Sequence, residues 1–214
     1  MVDIDLNKKY LIEPKCAPFK VIEVLGAKTE NGTNIQIYNL GEGLHQYFKL
    51  VYAEPSYYYI EPCHCNNKRI DVRYSEVKNG ANIHLWEKHP PEKTVDLRAQ
   101  KFKLVPSKNN ANYYYICSYL NDNFCIDVQS SGKSNGTNVW LYEKNYSEAQ
   151  EFRFIDSLSA AIYYAEKYSE EGNRNPRYKS YSSNCMNFCS QCVYAGGVTE
   201  DKVWYNGSVS FINI

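Results

Sequence analysis

One cysteine stands where chemistry is easiest to do. In "NCMNFCSQCVYAGG" the residues Cys185, Phe188, Cys189, Cys192 and Val193 keep helical spacing, and Gly196-Gly197 ends the run. Asn184 is a good N-cap. Cys185 is therefore expected in the first turn, where unpaired N–H groups and the helix dipole favour a thiolate. That is a common way to activate a nucleophilic cysteine. Cys189 and Cys192 lie deeper in the helix and read as small buried hydrophobes. Nucleophilic cysteine chemistry also needs an imidazole to take the thiol proton. All four histidines, His45, His64, His84 and His89, lie far upstream, in a part of the chain with a different pattern.

The elements around Cys185 are helical. In "DSLSAAIYYAEKYSEEG" the residues Leu158, Ala161, Ile162, Ala165 and Tyr168 repeat with the period of a helix. Asp156 or Ser157 can cap its start, and Gly172 can end it. The polar stretch "NRNPRYKSYSS" follows. Upstream of Asp156 the pattern is that of strands. The octets "NGTNIQIY", "NGANIHLW" and "NGTNVWLY" begin at 31, 79 and 135, and each sits inside a longer repeated unit. "KVIEV", "KRIDV" and "FCIDV" precede them, and "HQYFKL", "AQKFKL" and "AQEFRF" follow. Ile35/Ile37, Ile83/Leu85 and Val139/Leu141 alternate with the residues between them, so each octet is a strand with one buried face. Asn-Gly pairs form turns. About four short strands per unit, in three units, predict an all-β, pseudo-threefold domain over 8–156. A unit of about 50 residues cannot bury its own apolar face and must close on its neighbours. Phe48, Phe102 and Phe152 stand at equivalent places and are expected in the shared core.

Bulk composition narrows the partners. Lys+Arg and Asp+Glu both number 24, so nothing electrostatic points to nucleic acid or an anionic membrane. No apolar run is long enough for a membrane span. The start "MVDIDLNKKYLIEP" lacks an apolar signal-peptide core, which fits either a cytosolic protein or the boundary of a fragment, and the compartment stays open. Tyr, at 21, outnumbers Phe and Trp together, and it suits sugar or protein surfaces where one ring face stays wet. The 8 Cys show no spaced disulfide framework, so free thiols are expected. Cys117 and Cys125, flanking "LNDN", are the best-placed pair for a bridge. Cys63, His64 and Cys65 lack the second ligand pair of a zinc site, and no metal or cofactor is expected.

The threefold pattern resembles the ricin B-type β-trefoil lectins, whose repeat ends in Q-x-W. Here the endings are Gln46-Tyr47-Phe48, Gln100-Lys101-Phe102 and Gln150-Glu151-Phe152. In that family a carboxylate precedes an aromatic by fifteen residues. Glu23 and Tyr38, Asp71 and Trp86, and Asp127 and Tyr142 keep this spacing, with Gln36, His84 and Trp140 at the polar position between them. The chemistry suits a sugar: a carboxylate accepts from neighbouring hydroxyls, and an aromatic face covers the C–H side of the ring. The family also has an Asn before the Gln of Q-x-W, where this chain has His45, Ala99 and Ala149. That departure is expected to weaken all three sites, and the longer Glu23 to crowd the first. The second site ranks first and the third next.

The tail resembles the beginning of a bacterial amidase family with papain-like chemistry. The matching residues are Tyr164-Ala165-Glu166-Lys167-Tyr168, Asn175-Pro176-Arg177-Tyr178 and Asn184 through Gly197. The resemblance makes Cys185 the nucleophile, with Asn184 where the family usually has Asp. The family's His lies on a later strand, so residues 157–214 read as an incomplete papain-like α+β domain, inactive by itself. The whole is expected to be a glycan-binding module joined to a cysteine amidase or peptidase, with glycan or glycoconjugate, including peptidoglycan, as partner. The parent protein would then be secreted or associated with the cell wall. The rival reading is a non-catalytic trefoil that binds carbohydrate or protein and carries a remnant tail.

Overall fold

The computed structural model describes residues 4–41, 43–90, 97–157, 159–160, 204–205 and 208–209. Twelve strands follow in three sets of four. The first set is β1 (Tyr10–Pro14), β2 (Lys20–Val24), β3 (Ile35–Asn39) and β4 (Phe48–Glu54). The second is β5 (Tyr57–Pro62), β6 (Lys68–Val72), β7 (Ala81–Glu87) and β8 (Phe102–Pro106). The third is β9 (Tyr114–Ser118), β10 (Asn121–Val128), β11 (Thr137–Glu143) and β12 (Phe152–Asp156). Outer strands of each set pair in the order β12-β1-β4-β5-β8-β9, and β9 pairs again with β12, which closes a six-stranded ring. Inner strands form three hairpins, β2–β3, β6–β7 and β10–β11. The hairpins meet through β11, which pairs with both β3 and β7, and through a bridge between Asn34 and His84. A closed barrel capped by three hairpins is a β-trefoil, the expected fold.

Burial explains the spelling of the strands. Phe48, Phe102 and Phe152 are fully buried and share one core with Ile35, Ile37, Ile83, Leu85, Val139 and Leu141. Removing these apolar side chains from water is the main force that closes the repeats on one another. The opposite strand face is not uniformly wet, however. Gln36 and His84 are buried as well, whereas Tyr38 is exposed.

The recurring N-G-x-N letters stitch the repeats together in a ring. Asn31 Oδ1 accepts from Glu87 N (2.9 Å), Asn79 Oδ1 from Glu143 N (2.7 Å) and Asn135 Oδ1 from Asn39 N (2.9 Å). The glycines, with φ between 83° and 86°, turn the chain so that Gly32, Gly80 and Gly136 N–H reach Leu85, Leu141 and Ile37 carbonyls. The last Asn of each motif closes a cycle. Asn34 donates to Asn138 (2.9 Å), Asn138 to Asn82 (3.0 Å) and Asn82 to Asn34 (2.9 Å).

Cys117 and Cys125 form a disulfide, which corrects the expectation of free thiols for this pair; Cys16, Cys63 and Cys65 are free. The two half-cystines face each other across β9 and β10, at the positions that Glu61 and Arg69 hold in the second repeat. There an ion pair spans the gap, with Arg69 Nε 3.0 Å from Glu61 Oε1. The third repeat uses a covalent link where the second uses a charge pair.

Two compact units divide at Ile155/Asp156. At the start of the second, Ser157 and Ser159–Ala160 are helical, and Asp156 caps them by accepting from Ser159 N (3.0 Å) and Ser159 Oγ (2.8 Å). Trp204–Tyr205 pairs antiparallel with Ser208–Val209 as β13 and β14. The rest of the helix expected after Asp156, and the whole helix expected to carry Asn184 and Cys185, lie outside the described residues. Among the described residues no helix is long and apolar enough to cross a membrane.

Candidate functional site

Each inner hairpin brings one carboxylate beside one polar residue, because the register pairs them directly. Glu23 lies opposite Gln36, Asp71 opposite His84 and Asp127 opposite Trp140. The aromatic two residues on completes each group. All three carboxylates are buried, yet the three sites differ in how the carboxylate is satisfied.

At the first site the carboxylate is enclosed by its own neighbours. Glu23 Oε1 accepts from Gln36 Nε2 (2.8 Å), and Oε2 accepts from Gln46 Nε2 (2.8 Å) and lies 3.4 Å from His45 Nε2. Burial pushes this carboxyl up, but the hydrogen bonds from His45, Gln46 and Gln36 outweigh it and hold it below its ordinary range. Tyr38 stands apart, with 42% of its surface exposed.

At the second site Asp71 is bridged by two imidazoles. His84 Nε2 lies 3.2 Å from Oδ1 and His89 Nε2 lies 3.1 Å from Oδ2. Each Nε2 is placed to donate to one carboxylate oxygen. His84 stacks on Trp86 with centroids 5.1 Å apart and planes at 21°. A concavity of about 330 Å³ opens over this group, lined by Asp71, His84, Trp86, His89 and Tyr74 among others.

At the third site Trp140 Nε1 donates to Asp127 Oδ1 (2.8 Å), and the indole stacks on Tyr142 at 5.9 Å and 30°. A concavity of about 340 Å³ lies over them, walled by Ser130, Ser131, Asn145 and Ala149. Burial pushes the Asp127 carboxyl up, and the hydrogen bonds from Trp140 and Gln150 only partly offset it. The contrast with Glu23 is chemical. At Glu23 the polar neighbours outweigh burial, whereas at Asp127 burial outweighs the hydrogen bonds.

His89 and Asn145 were missed by reading the sequence. Both lie three residues after the ring aromatic, at the place Gly41 holds in the first repeat. The Gln of each Q-x-F motif fixes that place by accepting from the backbone N–H of Gly41 (2.7 Å), His89 (3.3 Å) and Asn145 (2.9 Å). Ala149 lines the third concavity, and at the second site, where Ala99 offers no side-chain donor, His89 approaches Asp71 instead. At the second site the polar partner of the carboxylate thus stands at a different place in the chain from the one the Q-x-F motif marks.

Residues 7–86 match the family described as "Ricin-type beta-trefoil lectin domain-like". The N-terminal unit is a β-trefoil whose first half is similar to that family. Solved structures similar to it share the fold. The designed threefold-symmetric ThreeFoil is 24% identical (TM-score 0.61), with 68% of this chain and 96% of that one covered. The agglutinin of Rhizoctonia solani is 17% identical (TM-score 0.61), with 73% and 99% covered. The C-half of an earthworm R-type lectin, solved in complex with GalNAc, is 16% identical (TM-score 0.52), with 70% and 98% covered. Beyond the trefoil, residues 155–213 match the family described as "Putative amidase domain". A curated relative, "Uncharacterized protein YhbB" of Bacillus subtilis (strain 168), is 38% identical over 91 residues, which is 37% of this chain and 27% of that protein. The chain therefore spans about a quarter of that relative's length.

Proposed function

We propose that the trefoil binds glycan through the Asp71 and Asp127 sites, and that it serves a cysteine amidase unit in which Cys185, preceded by Asn184, is the nucleophile. The observation that carries the glycan reading is the pairing, in two separate concavities, of a buried carboxylate with an aromatic pair. The carboxylate accepts from vicinal hydroxyls and the ring covers the apolar face of the sugar, which is the division of labour a polar ligand with one apolar face requires. Glu23, Gln36 and Tyr38 contribute least, since three side chains, Gln36, Gln46 and His45, already enclose the Glu23 carboxylate. The amidase reading rests on the family match and on the sequence around Cys185. Peptidoglycan is the partner that unites the two halves, because it joins glycan strands to amide-linked peptide.

A glycan array that includes peptidoglycan fragments tests the first half. Asp71→Ala or Trp86→Ala should remove one class of binding and Asp127→Ala or Trp140→Ala another, while Glu23→Ala changes little. Absence of any binding by the wild type at millimolar sugar would end the glycan reading.

A further inference from the structure

The backbone after each site carboxylate makes the same tight excursion. Gly26, Tyr74 and Ser130 occupy equivalent places with φ of 59°, 58° and 54°. Left-handed backbone suits glycine and is tolerated by small polar residues, but it disfavours a bulky aromatic. Two of the three repeats use Gly and Ser there. The second places a tyrosine, which is 76% exposed. Little of this ring is packed away. Its own neighbour Arg73 lies over it, 4.9 Å from the centroid, and donates Nη2 to the hydroxyl (3.1 Å). Stability does not account for an aromatic that is both strained and wet, so its use is sought in what it faces. Tyr74 lines the Asp71 concavity together with Trp86.

We infer that Tyr74 is a specificity-determining residue that gives the Asp71 site a second aromatic wall, so that this site selects glycans of two or more sugar units. The inference rests on the glycan reading of that site. Trp86, stacked against His84 beside the carboxylate, serves the sugar whose hydroxyls reach Asp71. Tyr74 stands on the loop that leaves the carboxylate strand and serves the next unit. At the Asp127 site the corresponding residue is Ser130, so that site lacks this wall and does not discriminate by length in this way.

The test uses the full chain carrying Asp127→Ala, which removes the third site's carboxylate, with Tyr74→Ala, Tyr74→Gly and Tyr74→Phe added singly. A printed glycan array gives an oligosaccharide hit, and calorimetry then compares that oligosaccharide with the methyl glycoside of its terminal sugar. Tyr74→Ala and Tyr74→Gly should weaken the oligosaccharide by about three- to tenfold, the range of one aromatic contact, and leave the methyl glycoside unchanged. Tyr74→Phe should keep the oligosaccharide affinity. Tyr74→Gly should melt no lower than its parent, which separates lost binding from lost folding. Unchanged oligosaccharide affinity in Tyr74→Ala, or equal losses on both ligands, would overturn the inference and leave the glycan reading standing. If the Asp127→Ala protein binds nothing on the array, the glycan reading of the Asp71 site falls and this inference falls with it.

Discussion

The cycle of Asn34, Asn82 and Asn138 makes a quantitative prediction about how the three repeats hold together. Three side chains share three hydrogen bonds, each donating one and accepting one. Replacing any single Asn by Ala therefore breaks two bonds, and replacing all three breaks only three. With a net ~1 kcal/mol per hydrogen bond, each single variant should lose about 2 kcal/mol and the triple variant about 3 kcal/mol, against about 6 kcal/mol if the effects added. The difference arises because each bond joins two of the three residues and is counted twice when the singles are summed. Asn34→Ala leaves the Asn138 oxygen without its donor and the Asn82 amide without its acceptor. Denaturant unfolding followed by tryptophan fluorescence reads the trefoil transition, because Trp86 and Trp140 both lie in it. The ring Asn residues stand two places before Gln36, His84 and Trp140, so the singles should also loosen the sites. Additive losses in the triple variant, or singles costing less than about 0.5 kcal/mol, would show that the cycle does not act as a unit.

Three further outcomes are expected. Mass spectrometry after alkylation should show two cysteines blocked until reductant is added, and Cys117→Ser with Cys125→Ser should cost about 2–3 kcal/mol, a loss that Cys117→Glu with Cys125→Arg partly recovers through the charge pair of the second repeat; alkylation of all eight without reductant would refute it. Because the folded Glu23 carboxyl lies below its ordinary 4.5, its contribution to stability is present above that pH and is lost as pH falls through the lower folded value; melting curves of Glu23→Gln across this acid range should show a shallower fall than wild type, and parallel curves would contradict it. Iodoacetamide at mildly acidic pH should label Cys185 before Cys189 and Cys192, since the sequence places it where a helix is expected to begin and a helix N-terminus favours a thiolate; equal rates would mean that the site is not preorganised.

What the sequence determined by itself is periodic. Alternation in "NIQIY", "NIHLW" and "NVWLY", the turn-forming Asn-Gly pairs and the Phe at the end of each unit state a threefold β architecture, because burial and backbone geometry act on neighbours along the chain. The carboxylate-to-aromatic spacing likewise follows from one hairpin and needs no other repeat. Three things were decided by tertiary structure. Alternation assigns faces but does not say that the second face of the strand is also buried, and Gln36 and His84 lie there against carboxylates. His89 reaches Asp71 on a loop whose backbone donates to Gln100, a residue of another segment, so the partner is set by contacts between segments. Finally, the same left-handed place holds Gly26, Tyr74 and Ser130, and nothing in "RYS" announces a positive φ. That conformation recurs at one place in all three inner hairpins, after the carboxylate strand, so it belongs to the path of that loop and not to the residue type.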